Sequence, residues 1–188
     1  MTPGGHLLTT VAACGVTYAM TGSLPLTLGV AAGGFGIDVD HAIDYVIFER
    51  QRNLSPDRFL RYCLEGKNTF TVLMLHSYEL MALLALAAWW TGGEWLIGYL
   101  LGAAMHLPLD IIFNGESYLK FPLRFYSFVY RWRLGFSTAK LSGRLPRLMT
   151  PKSFWTAFFK GAAVGAPEGR PASASLRRID SQAESEIL

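Results

Sequence analysis

The stretch "GIDVDHAID", residues 36 to 44, ends an apolar run that begins at Leu24. It brings Asp38, Asp40, His41 and Asp44 together within two helical turns. Acids are costly at the end of a hydrophobic helix unless something partners them. Upstream, Leu24 to Ile37 follows a second apolar run, Leu7 to Met20, across the turn Thr21-Gly22-Ser23. Downstream, Phe70 to Trp90 and Trp95 to Phe113 repeat the arrangement around residues 91–94. The pattern predicts an all-α fold: an integral membrane helical bundle of about four spans in two hairpins.

Composition agrees with that expectation. The chain is 51% hydrophobic and 16% charged over 188 residues, where soluble domains are about a quarter charged. A net charge of +3 is too small to argue for nucleic acid, and none is expected as a partner. Cys14 and Cys63 form no CxxC pattern and read as reduced packing residues. No Lys or Arg precedes the first apolar run, so no cleaved signal peptide is read. The second pair of runs meets the ~20 residues a span requires. The first pair is short, and fourteen helical residues reach only about 21 Å. It spans only with its flanks or across a thinned bilayer.

Charge placement sets the topology. Five of the 17 Lys and Arg lie between residues 38 and 69, and all the others follow Phe113. By the positive-inside rule the 38–69 loop and the C-terminal segment face the cytoplasm, as does the N-terminus. Residues 1–117 then form the membrane domain. Residues 118–160, including "YLKFPLRFYSFVYRWRLGF", interleave aromatics with Lys120, Arg124, Arg131 and Arg133 and read as an interfacial segment on anionic lipid. Residues 161–188 read as a disordered tail.

On that topology the four histidines fall in one cytoplasmic layer. His6 opens the first run, His41 follows the second, His76 lies near the start of the third, and His106 near the end of the fourth. Carboxylates accompany them: Asp38 and Asp40 beside His41, Glu79 three residues after His76, Asp110 four residues after His106. Imidazole and carboxylate at this density suit a divalent metal, zinc first, then manganese or iron, as one ion or two. His6, Asp38, Asp40, His41, His76, His106 and Asp110 are the candidate ligands. Asp40 and Glu79 are the candidate general acid and base. Asp44, a turn further on, reads as a solvated helix end.

These motifs resemble the YdjM/YbcI-type (DUF457) membrane-bound metal-dependent hydrolases. The counterparts here are "GGHLL" at 4–8, "GFGIDVDH" at 34–41, "LHSYE" at 75–79 and "GAAMHLPLD" at 102–110. Ile37 stands where that pattern has proline, and Thr71-Val72 where it has a His-Arg pair, so Glu79 is the residue placed to compensate. A weaker similarity is to zinc-dependent phospholipase C sites. The resemblance implies hydrolysis of an ester or phosphoester at the cytoplasmic membrane surface, with membrane lipid and an amphiphilic or phosphorylated small molecule as partners. Two other functions use the same residues: an ion or metal transporter built on the His/Asp cluster, and a non-catalytic membrane adaptor.

Overall fold

The structure, a computed structural model, describes residues 1–142 and 148–164, with backbone only for 114–118. The expected tail lies outside the described residues from 165 onward. The chain is mostly helical. The first four long elements are α1 (Pro3–Thr21), α2 (Leu24–Gly34), α5 (Tyr78–Thr91) and α6 (Glu94–Tyr118). Between α2 and α5 come α3 (Val39–Ile43), a π-turn at Asp44–Phe48, and α4 (Pro56–Leu64). After α6 come α7 (Pro122–Phe125), α8 (Phe128–Arg133), α9 (Thr138–Leu141), β1 (Leu148–Met149), α10 (Phe154–Lys160) and β2 (Ala163–Val164). The two strands pair antiparallel, Leu148 opposite Val164.

Local chemistry fixes the ends of both hairpins. Thr2 caps α1 by accepting the Gly5 amide at 3.2 Å, with Pro3 in the first turn, where its missing N–H costs nothing. Gly22 and Gly92 end α1 and α5 at φ 65° and 62°, a region that favours glycine. Ser23 and Ser77 cap α2 and α5. α6 runs through Pro108 as one helix.

The central contact is between α2 and α6, and it is made by glycine. Gly29 and Gly33 on α2 meet Gly98 and Gly102 on α6, each pair four residues apart. A Cβ added at Gly29 would lie 2.9 Å from the Gly98 Cα, and one at Gly33 would overlap the Tyr99 carbonyl. Backbones therefore touch directly, the close approach that small-xxx-small spacing permits.

The third apolar run does not become a long helix. Residues 70–77 are extended or 3-10, and α5 has only 14 residues, about 21 Å. The cause lies upstream in the sequence. Asp44 Oδ2 accepts the amides of Val72 (2.7 Å) and Leu73 (3.2 Å), and Asp40 Oδ2 accepts those of Leu75 and His76. Amides held by those carboxylates are not available to a helical ladder. Asp44 is thus buried and bonded, not solvated. Among the described residues, one helical segment, Glu94–Phe113, is long and apolar enough to cross a membrane.

Described residues of the segment that follows α6 contribute to the core. Phe125, Tyr126 and Leu141 pack with Leu73 and Leu107 in one buried cluster. Outward, the helices carry apolar side chains, with Trp89 and Trp90 at the end of α5 86% and 89% exposed.

Candidate metal centre

Four segments deliver the donors. His6 is near the start of α1, Asp38 closes a 3-10 turn after α2, His76 closes the 3-10 turn Met74–His76, and His106 and Asp110 sit one turn apart on α6. His6, His76, His106, Asp40 and Asp110 are all buried.

Hydrogen bonds behind the rings set the tautomers. His106 Nδ1 is 2.7 Å from the carbonyl of Gly34, which can only accept, so Nδ1 carries the proton and Nε2 presents its lone pair. His76 Nδ1 donates to Asp40 Oδ2 at 3.1 Å, so in the neutral ring its Nε2 likewise presents a lone pair. These two Nε2 atoms are 3.3 Å apart. Asp38 Oδ1 lies 3.5 Å from each. With both rings neutral, three acceptor atoms converge here, and a cation at the centre or a proton on His76 Nε2 would satisfy them. Burial opposes the charge on Asp38, yet a hydrogen bond from His76 and the positive charge that His41, His106 and His76 carry when protonated outweigh it and hold the carboxyl below its ordinary range.

The triangle has the size a small divalent ion needs. Metal–ligand bonds of about 2.0–2.1 Å in a tetrahedron place neighbouring ligands about 3.3–3.4 Å apart. Asp38, His76 and His106 would hold such an ion with three protein ligands, the number found in catalytic sites. A second group shares His106: His6 Nε2 is 2.8 Å from Asp110 Oδ1, and Asp110 Oδ2 is 3.3 Å from His106 Nε2. The His6 and His106 rings stack at 3.8 Å. His106 has one lone pair at Nε2, so it serves one ion at a time. The Met1 amino group also reaches Asp110 Oδ1, at 2.9 Å.

Comparison of the chain with protein-family models, with curated proteins and with solved structures finds no match. The site's chemistry is therefore read from its own residues.

The expected residues divide by task. Asp38, His76 and His106 converge as donors, and His6 and Asp110 pair beside them. Asp40 stands behind His76, its Oδ2 taken by the ring and two amides. His41 is at the edge: its Nε2 is 3.8 Å from Asp38 Oδ1, and its side chain is 40% exposed. Glu79 turns to α8, accepting from the Ser127 hydroxyl (2.6 Å) and the amides of Phe128 (2.8 Å) and Val129 (3.3 Å). Cys63 lines the adjoining cavity, but burial and the nearby Asp38 push its thiol up to about 12, so it is no ready thiolate ligand.

Two participants escape the sequence reading. Arg131, expected among the lipid-facing cations, is fully buried. Its guanidinium donates to the carbonyls of Leu73 (2.8 Å), Phe125 (2.8 Å) and His76 (3.3 Å), and so grips the turn that carries His76. Leu73 sits there at φ 42°, unusual for a non-glycine residue. Gly34 supplies the carbonyl behind His106; its only signal in the sequence is its place among the small residues of α2.

Proposed function

We propose that the chain is a metal-dependent hydrolase of the bacterial inner membrane, with a divalent ion, zinc first, held by Asp38, His76 and His106. The single observation that carries this reading is the triangle of acceptor atoms with edges of 3.3, 3.5 and 3.5 Å, two of its corners oriented by hydrogen bonds from behind. When bound, such an ion supplies Lewis acidity toward a carbonyl or phosphoryl oxygen and acidifies a water molecule. The protein's own residues do the rest. Asp40 and the Gly34 carbonyl fix the two imidazoles. The His6–Asp110 pair stands within reach of the open side and is the group placed to hold a proton and return it to the leaving oxygen. Asp40 and Glu79 are committed to other hydrogen bonds, which moves the acid–base role from them to His6 and Asp110.

The membrane reading is part of this proposal. α6 is the helix that can span, and α1, α2 and α5 pack around it with apolar side chains outward, in the four-span, two-hairpin arrangement with both termini cytoplasmic. The motif resemblance to the DUF457 hydrolases points the same way. The substrate is then an ester or phosphoester presented at the cytoplasmic surface.

The test is metal content joined to turnover. The protein purified in detergent is expected to carry stoichiometric zinc, manganese or iron, which Asp38→Asn and His106→Ala lose together with hydrolysis of 4-nitrophenyl phosphate or 4-nitrophenyl acetate. Metal without turnover, but with flux into liposomes, would establish a transporter instead. No metal under any loading condition ends the proposal.

A further inference from the structure

The buried donors open onto a cavity of about 950 Å³. That is near the top of the ~300–1,000 Å³ range of ligand pockets. Asp38, His76 and Asp110 form one wall. Phe59 and Leu60 on α4, Phe125 and Tyr126 beside α7, and Phe154 and Phe158 on α10 form much of the rest. Several polar side chains elsewhere on the wall are already bonded to each other, and Lys160 adds a cation to the lining. Thr71 and Thr138 share a hydrogen bond of 2.7 Å, Asn68 donates to Thr71, and Glu49 is taken by Thr69, Phe70 and Tyr62. A ligand with polar groups along its length would find few partners here. A ligand polar at one end would find its densest set of partners at the His/Asp wall.

We propose that this cavity takes the aliphatic chain of a single-chain amphiphile, whose oxyanionic head, a carboxyl or phosphoryl group, lies at the wall that Asp38 and His76 form. The head assignment rests on the metal reading above, because without a cation Asp38 and Asp110 would repel an anionic head. The chain assignment does not: it follows from the walls alone. Each methylene buried in an apolar site strengthens binding about fourfold (~0.8 kcal/mol). Affinity therefore rises with chain length until the cavity is full. Ala42 also lines the cavity, and a larger side chain there shortens the space.

Photoaffinity labelling separates the two parts. Metal-free protein in lipid nanodiscs is irradiated with a diazirine-bearing long-chain 1-alkanol, insertion sites are mapped by peptide mass spectrometry, and unlabelled alkanols from six to fourteen carbons compete. Insertion into α4, residues 125–126 and α10, with competition strengthening about fourfold per methylene and levelling off at shorter chains in Ala42→Phe, is the expected result. Insertion confined to the outer faces of α5 and α6, or a series with no plateau shift in Ala42→Phe, overturns the inference, because that is simple partition into lipid. Zinc-loaded protein is then challenged with dodecyl phosphate and dodecanoate. Whichever of the two competes more strongly than dodecanol identifies the head, and neither doing so overturns the head assignment. Metal content measured on the same preparation reports separately on the metal reading, so failure there is not mistaken for failure of the cavity.

Discussion

The Nε2 atoms of His76 and His106 lie 3.3 Å apart, and each ring is held from behind through its Nδ1, one by Asp40 and the other by the Gly34 carbonyl. Thirty residues separate the two histidines in sequence. What brings them together is the glycine contact of α2 with α6 and the loop that Asp40 and Asp44 pull down over it. Orientation from behind turns both Nε2 atoms toward the same carboxylate, Asp38, which is how ligating imidazoles are held.

His41 and Glu79 test the division of labour. His41→Ala is expected to keep stoichiometric metal, since its ring lies at the rim and not on the triangle. Glu79→Gln is also expected to keep metal but to unfold more easily, by about 1–2 kcal/mol, because a charged acceptor for Ser127, Phe128 and Val129 becomes a neutral one. Metal analysis and thermal unfolding of the same preparations check both. Loss of metal in His41→Ala would mean that the ligand set closes differently.

Much of this layer was legible in the sequence. The two hairpins, the charge distribution and the positions of His6, His76 and His106 within the apolar runs were enough to bring those imidazoles to one depth. The separate tasks of neighbouring residues were not legible. Asp38, Asp40 and Asp44 look alike in sequence, yet one converges on the donors, one orients a ring and one holds amides of residues 72 and 73. The difference depends on amides about thirty residues away, and hydrophobic periodicity carries no information about them. The same contacts explain why the run from Phe70 promised a long helix and delivered one that starts at Tyr78. Arg131 was hidden for the opposite reason: beside so many exposed aromatics and cations, nothing local marks the one guanidinium that turns inward.

Asp40 acts through His76, so its substitution is expected to weaken the site without abolishing it. Asp40→Asn keeps a hydrogen-bond acceptor but removes the charge that raises imidazole basicity. Metal affinity is expected to fall about 10–100-fold, the usual cost of losing such a partner. Competition with a chelator of known affinity measures it. Asp38→Asn removes a ligand outright and is expected to fall further.

The α2–α6 crossing leaves no room for a side chain. Gly33→Ala sets a methyl group against the Tyr99 carbonyl, a clash with backbone that no rotamer relieves. About 1–3 kcal/mol of destabilisation is expected, from overpacking. Gly15→Ala, on α1 with open space around its Cα, is the matched control and is expected to be neutral or slightly stabilising. Thermal unfolding in detergent distinguishes the two.

Glu49 gives the fold a sensitivity to acid. Burial pushes its carboxyl upward, but the Phe70 amide, the Tyr62 hydroxyl and the amide and hydroxyl of Thr69 outweigh that and hold it below its ordinary 4.5. The folded protein therefore releases this proton more readily than the unfolded chain does. The stability it contributes is fully present above about pH 4.5 and is lost as pH falls through the lower, folded value. Unfolding midpoints measured from pH 6 to 3 are expected to drop less steeply in Glu49→Gln than in the native sequence, with the two curves converging at the acid end.

Arg131 is buried with no carboxylate in direct contact among the described residues, its guanidinium spread over three backbone carbonyls. Burial pulls its pKa down to about 10, against the support of Asp40 and Glu79, so it remains a cation at neutral pH. Arg131→Met fills a similar volume but leaves the carbonyls of Leu73, His76 and Phe125 without this donor, at about 1–3 kcal/mol for each one that water cannot reach. Arg131→Lys restores the charge, but one ammonium group cannot reproduce a planar fork. Both variants are expected to lose stability and to bind metal more weakly, because the turn that carries His76 is no longer held; Lys should recover only part of either loss. Chelator competition performed well below the unfolding midpoint separates the two effects. Native metal affinity in the folded Arg131→Met protein would show that the turn is held by Asp40 and Asp44 alone.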